Sequence, residues 1–236
     1  VNEVGPVQRI RITFSKGEAV KYISHLAIMR AWERIIRRAD LPVAYSQGFN
    51  PRPKLAFASA LSVGYTGRAE ILDIELRRSA QPKTIPAQLK PQLPVGFAVH
   101  LAREVPLRAP SAQSQLRYSV YRVSFLTRQS IDVLRAELDQ LLSASELPRQ
   151  RTVKGKVRKY DLRSLIHDLW YDCPAAGEHV VGMVLVHGNT GAGRVDEVTD
   201  ELGMLEDLRA VERTRLIFDG EPVDWEAIKR HLSTGA

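Results

Sequence analysis

Arg30, Arg34, Arg37 and Arg38 recur three and four residues apart in a stretch free of glycine and proline. At about 100° per residue they fall within one arc of a helix. Guanidinium groups present a rigid fork of donors that matches phosphate oxygens. Like charges at this spacing cost about a few tenths of a kcal/mol each, and a polyanion would offset that cost. Glu33 borders the arc and is placed to pair with Arg30 or Arg37. The bland alternative is a solvated charged face.

The segment beyond this helix, Tyr45-Ser-Gln-Gly-Phe-Asn-Pro-Arg-Pro-Lys54, mixes stacking rings (Tyr45, Phe49), amides (Gln47, Asn50) and cations (Arg52, Lys54). Single-stranded RNA is held by this combination of base stacking and backbone charge. Gly48 allows close approach or a positive φ, and the prolines order the loop in advance of binding. The alternative is a rigid turn with Phe49 packed into the core. A second basic cluster, Arg149, Arg151, Lys154, Lys156, Arg158 and Lys159 around Gly155, fits a β-hairpin with cations on both faces that could track phosphates. A mobile solvated hairpin is its alternative.

His25 is the candidate catalytic residue. It opens the arginine helix next to Lys21, Tyr22 and Ser24. The positive end of the helix dipole disfavours an imidazolium there, and a neutral imidazole among cations could act as general base on an RNA 2′-hydroxyl. Lys21 and Tyr22 join the expected RNA-binding set. His100, His167, His179, His187 and His231 show no metal-binding spacing. Gly188-Asn-Thr-Gly-Ala-Gly193 lacks the Lys-Ser/Thr of a phosphate loop, so a tight turn is expected. No metal and no cofactor is expected in this chain.

These residues must be positioned by regular elements. Ile10–Phe14 alternates apolar and polar residues as a half-buried strand does. Ser24 is a good cap for a helix over His25–Ala39, whose apolar half carries Leu26, Met29, Trp32, Ile35, Ile36 and Ala39. Leu41-Pro42 ends it. Short strands are expected over Pro42–Ser46, Lys54–Val63, Glu70–Arg77 and Phe97–Leu101, with a proline-interrupted helix at Thr84–Leu93. The main elements then run strand, helix, strand, strand, helix, strand, the ferredoxin-like order. A similar order follows: a strand at Ser119–Leu126, a helix at Ser130–Leu142 with Ile131, Leu134, Leu138 and Leu141 on one face, the basic hairpin, one helical turn capped by Asp161, a strand at Val180–His187, a helix at Arg194–Leu205 and a strand at Thr214–Phe218. Asp224–Ala236 is a terminal helix candidate. The expected class is α+β, with two ferredoxin-like βαββαβ domains in tandem over 1–106 and 118–236, joined by a polar linker at 107–117.

Composition agrees. The chain has 236 residues, 44% hydrophobic and 26% charged, ordinary values for a globular protein. A net charge of +7 favours polyanionic partners. No apolar run approaches the roughly 20 residues needed to span a bilayer, and the opening residues lack a signal-peptide pattern, so a cytoplasmic protein with no membrane role is expected. One cysteine, Cys173, excludes a disulfide within the chain and any site built from several thiolates.

Tyr22-Ile-Ser-His-Leu-Ala-Ile-Met-Arg30 and Arg37-Arg-Ala-Asp-Leu-Pro-Val-Ala-Tyr-Ser-Gln-Gly-Phe-Asn-Pro-Arg-Pro-Lys54 resemble the radical SAM-linked protein family, a bacterial domain of unknown function. Tyr160-Asp-Leu-Arg163, Arg194-Val-Asp-Glu-Val198 and Arg213-Thr-Arg215 are similar to its later pattern. Ala27 stands where that family usually has Asp, and Arg52 where a His is common. The resemblance implies a partner, a radical SAM protein that carries the iron–sulfur cluster, and work on RNA or ribosomes. The expected function is an RNA-binding accessory module serving that partner in RNA modification or ribosome-related processing. The alternatives are a metal-independent ribonuclease with His25 as general base, and a scaffold whose arginine face docks an acidic protein.

Overall fold

The computed structural model describes residues 5–127, 129–153, 155–172, 178–188 and 191–233. Lys154 and Cys173 lie outside these. The chain divides into two units, Val1–Leu116 and Arg117–Ala236.

The first unit opens on β1 (Gln8–Lys16). The expected alternation places Ile10, Ile12 and Phe14 in the core, but Arg11 is buried as well, so both faces of the strand are covered. Next comes α1 (His25–Arg38), capped by Ser24, whose hydroxyl accepts from the Ala27 N–H at 3.2 Å. Asp40 ends the helix with φ +52°, a left-handed conformation that Asp tolerates better than most residues. The helix buries Ile28, Ala31, Trp32, Ile35 and Ile36. Leu26 is 54% exposed, contrary to the sequence expectation. It sits about 120° round the helix from Trp32 at about 100° per residue, just outside the stripe that meets the sheet.

Then follow β2 (Leu55–Phe57), β3 (Thr66–Leu76), α2 (Ile85–Leu89, flanked by two 3-10 turns) and β4 (Phe97–Val105). The strand order is β2-β3-β1-β4, every pairing antiparallel. Trp32 packs edge-on to Phe14 at 4.8 Å between ring centres, and Ile10, Ile12, Leu72, Ile74, Ile85 and Leu89 complete the core. Each such aliphatic side chain contributes roughly 1.5–3 kcal/mol when fully buried. Two expected strands are corrected. Pro42–Ser46 forms only isolated bridges, Val43 to Leu76 and Tyr45 to Pro53, and Lys54–Val63 shrinks to β2. The expected linker also carries structure: α3 (Ala112–Gln115) is capped by Ser111 and buries Ala112, and the Arg9 guanidinium donates to the carbonyls of Leu107 and Ala109.

The second unit contains β5 (Leu116–Phe125), α4 (Ile131–Ser143), β6 (Pro148–Val153), β7 (Lys156–Asp161), β8 (Ile166–Asp172), β9 (His179–Gly188), β10 (Gly191–Ala192), α5 (Val195–Glu201), β11 (Leu208–Phe218) and α6 (Trp225–Ser233). Its main strands run β8-β9-β5-β11, with β9 antiparallel to both β5 and β8. β6 and β7 form a separate two-stranded ribbon between α4 and β8. Leu134, Leu138 and Leu141 of α4 are buried as expected, while Ile131 is exposed. Residues 166–172, for which no strand was expected, form β8. Asp161 caps only the single 3-10 turn Arg163–Leu165.

Candidate nucleic-acid interface

The apolar stripe of α1 is fixed by the sheet, so the opposite face must look outward. Arg30, Arg34, Arg37 and Arg38 are all exposed. No carboxylate among the described residues forms an ion pair with any of them, and Glu33 does not make the expected pairs with Arg30 or Arg37. Arg37 and Arg38 occupy the last turn, where the negative end of the helix dipole favours cations. Arg30 and Arg34 have no such compensation.

Residues 46–52 form a closed loop. The Ser46 N–H donates to the Arg52 carbonyl at 2.8 Å and the Arg52 N–H to the Ser46 hydroxyl at 3.0 Å. Gly48 adopts φ +131°. Phe49 is 105% exposed, so the reading in which it packs into the core is excluded. Tyr45, Gln47, Asn50 and Arg52 are exposed on the same loop. Lys54 is corrected: its ammonium pairs with Glu75 at 3.0 Å and is no longer an uncompensated cation. Lys21 is likewise paired, to Glu18 at 2.6 Å. That hydrogen bond holds its ammonium above the ordinary lysine range. Lys21 also lies 5.2 Å from the ring centre of Tyr22, itself 74% exposed.

His25 packs edge-on to Phe57 at 5.3 Å between ring centres. With Lys16, Ile28 and Glu70 it borders a crevice of about 10 Å³, barely the space of one water. The ammonium of Lys16 donates to the carbonyls of Lys21 and Tyr65. Sequence reasoning missed these buried charges, and it missed Arg11 and Asp73, which form a two-point ion pair at 2.7 and 2.8 Å. The available signal was that both occupy polar phases of strands whose register sets them directly opposite.

In the second unit the basic cluster is a hairpin turning at Gly155, with φ +75°. Register places Arg149 opposite Tyr160, Arg151 opposite Arg158 and Gln150 opposite Lys159. Directly paired residues share a face, so Arg149, Arg151, Lys156 and Arg158 lie together and Lys159 lies on the other face. Arg149 is neutralised by Asp200 and Glu201 of α5, which hold its guanidinium above the usual range. Lys156, Arg158 and Lys159 are exposed, and none forms an ion pair among the described residues. Burial and Glu197 push the Tyr160 phenol up to about 12.

The buried interior of this unit holds a pair that the sequence did not announce. The Ser119 hydroxyl and His187 Nε2 lie 2.8 Å apart. Burial, and secondarily Arg213, pushes the His187 imidazole down to about 4. Ser119 is wholly buried. Among the described residues no group of three or more His, Cys, Asp or Glu side chains could hold a metal ion, and no described helix is long and apolar enough to cross a membrane.

A family model for an uncharacterized protein conserved in bacteria, DUF2344, matches residues 9–195. No curated protein matches the sequence. Among solved structures, a chain of "Crystal Structure of a Cbf5-Nop10-Gar1 Complex" is similar at 10% identity and a TM-score of 0.48, over 93% of this chain and 55% of that one. The present chain thus spans about half the length of that structural relative.

Proposed function

The chain belongs to the uncharacterized bacterial family DUF2344, and from that premise we propose that it is an RNA-binding accessory module. The observation that carries this reading is the exposed face of α1, where four arginines stand without a carboxylate partner among the described residues. The fully exposed Phe49 supports it as a stacking surface for an unpaired base. The partner, by the sequence resemblance, is a radical SAM protein, and the process is RNA modification or ribosome-related processing. We also read both units as ferredoxin-like, since each orders its main strands fourth, first, third, second, with the basic hairpin inserted into the second. A cytoplasmic location follows from this function.

The test is a mobility-shift titration with a short single-stranded RNA at low salt. Retardation that weakens steeply as salt rises is expected, and no retardation at any protein concentration removes the reading. Co-purification with the radical SAM partner tests the second half of the proposal.

A ribonuclease reading draws on one observation: His25 borders the same crevice as Lys16 and Glu70. Its measure is cleavage of end-labelled RNA by wild type and by His25→Ala. Absence of cleavage in the first, or equal cleavage in the second, eliminates it.

A further inference from the structure

The β6–β7 hairpin is neutralised at its base and bare beyond it. Arg149 and Tyr160 are held by carboxylates of α5. Two residues further along the same face, Arg151 and Arg158 stand directly opposite each other, and neither forms an ion pair among the described residues. Like charges in this arrangement destabilise a hairpin unless something sits between them.

Arg151 is held in one orientation. Its guanidinium carbon lies 5.0 Å from the ring centre of Tyr160. On another side it meets Gly191, where any Cβ would come within 2.8 Å of the guanidinium. Its Nε is buried and has no hydrogen-bond acceptor among the described residues. A buried N–H in that state calls for an acceptor that the protein does not supply.

Beside it lies a cavity of about 560 Å³ bordered by Arg151, Arg158, Lys159, Tyr160, Asp161 and Ser164. Asp161 is its single acid, and that carboxylate is already engaged by the N–H groups of Leu147, Arg163 and Ser164. These N–H groups, Leu147 foremost, hold it below the ordinary carboxylate range. Arg151 and Arg158 share one face of the hairpin and Lys159 borders the cavity from the other, so among the described lining residues three cations stand against one carboxylate, a surplus of two positive charges.

We propose that this cavity binds a phosphomonoester, the terminal phosphate of a nucleotide. A phosphomonoester carries about −1.5 to −2 charge at pH 7, which matches the surplus; an internal phosphodiester carries half as much. The guanidinium of Arg151, at the wall of this cavity, supplies a charged donor that such a group accepts. The volume is in the range of small-molecule pockets, about 300–1,000 Å³, and leaves room for the attached nucleoside. The anion chemistry stands on the cavity alone, whereas the choice of a nucleotide rests on the RNA-binding reading above. Two sources carry this group, a free mononucleotide and the phosphorylated end of an RNA.

The experiment uses the full chain. A 12-nucleotide RNA is prepared with a 5′-phosphate, a 3′-phosphate or hydroxyls at both ends, and its binding is measured by fluorescence anisotropy beside calorimetric titration of adenosine 5′-monophosphate. At least one phosphorylated end should bind tenfold or more tightly than the hydroxyl form. Arg151→Gln should erase that difference, bringing the phosphorylated forms to the affinity that the hydroxyl form shows with the same variant. Lys159→Gln, at an exposed position, is the second variant should Arg151→Gln not fold, and it should shrink the same difference. Binding of the mononucleotide that Arg151→Gln abolishes, without any preference for RNA ends, assigns the site to the free nucleotide. That result would stand even if hydroxyl-ended RNA did not bind at all, which separates this proposal from the RNA reading. Equal affinity for all three RNAs with no mononucleotide binding overturns it, as does equal weakening of all three RNAs by Arg151→Gln.

Discussion

Removing one guanidinium from the outer face of α1 should change how RNA affinity depends on salt, and by a calculable amount. The perturbation is Arg34→Gln. Four exposed arginines without carboxylate partners among the described residues set the number of neutralised phosphates at about four. For a single strand the slope of log affinity against log salt is then about −2.8, from about −0.7 per phosphate. Raising salt from about 50 to 200 mM should weaken wild-type binding about 50-fold by this rule. With one arginine gone the slope should be about −2.1, and the same change in salt should cost about 20-fold. Arg34 makes no ion pair among the described residues, and glutamine is nearly as good a helix former as arginine, so the melting temperature should hold. The assay is anisotropy of a labelled single-stranded RNA at five or more salt concentrations. A wild-type slope near zero, or an Arg34→Gln slope equal to wild type, would refute the assignment of this face to phosphate contacts.

Other outcomes follow from the same structure. Phe49→Ala should weaken single-stranded RNA binding by about 5- to 150-fold, the equivalent of about 1–3 kcal/mol for one lost base stack; thermal unfolding should not change, because the ring is fully exposed. His187 titrates near 4 in the folded chain and near 6.5 when unfolded, so the unfolded state binds its proton first. Its contribution is therefore intact above pH about 6.5 and declines as pH falls toward 4, with up to about 3 kcal/mol at stake. Urea unfolding at pH 7 and pH 4.5 should show a smaller acid loss in His187→Gln than in wild type. Asp73→Asn should cost about 3–5 kcal/mol, because it leaves Arg11 as a buried charge without its counterion; an unchanged urea midpoint would show that the pair is dispensable.

Local patterns made much of the element order legible. Alternation identified β1, the Ser24 cap marked the start of α1, and the Gly155 turn marked the hairpin. What stayed hidden was what depends on partners distant in sequence. Nothing near Lys54 announces Glu75, and nothing near Arg149 announces Asp200 and Glu201, so two cations read as exposed charge are in fact paired. The exposure of Phe49 was undecided for the same reason: whether a loop aromatic packs inward depends on the surface beneath it. Arg11 and Asp73 illustrate the converse error. Each looks solvent-facing within its own strand, and only the pairing of β1 with β3 reveals that they bury together. His187 carries no local mark of its depressed titration, because its surroundings come from residues distant in sequence, among them Ser119 and Arg213.

Among the described residues the β6–β7 ribbon pairs with no other strand; the ladder it forms is its own. Substitutions near its tip therefore leave the interstrand ladder of the main sheet undisturbed, while those at Arg149 and Tyr160 loosen its mooring to α5. Selection can thus change the charge and shape that this arm presents, residue by residue, at little risk to the folding of the unit that bears it.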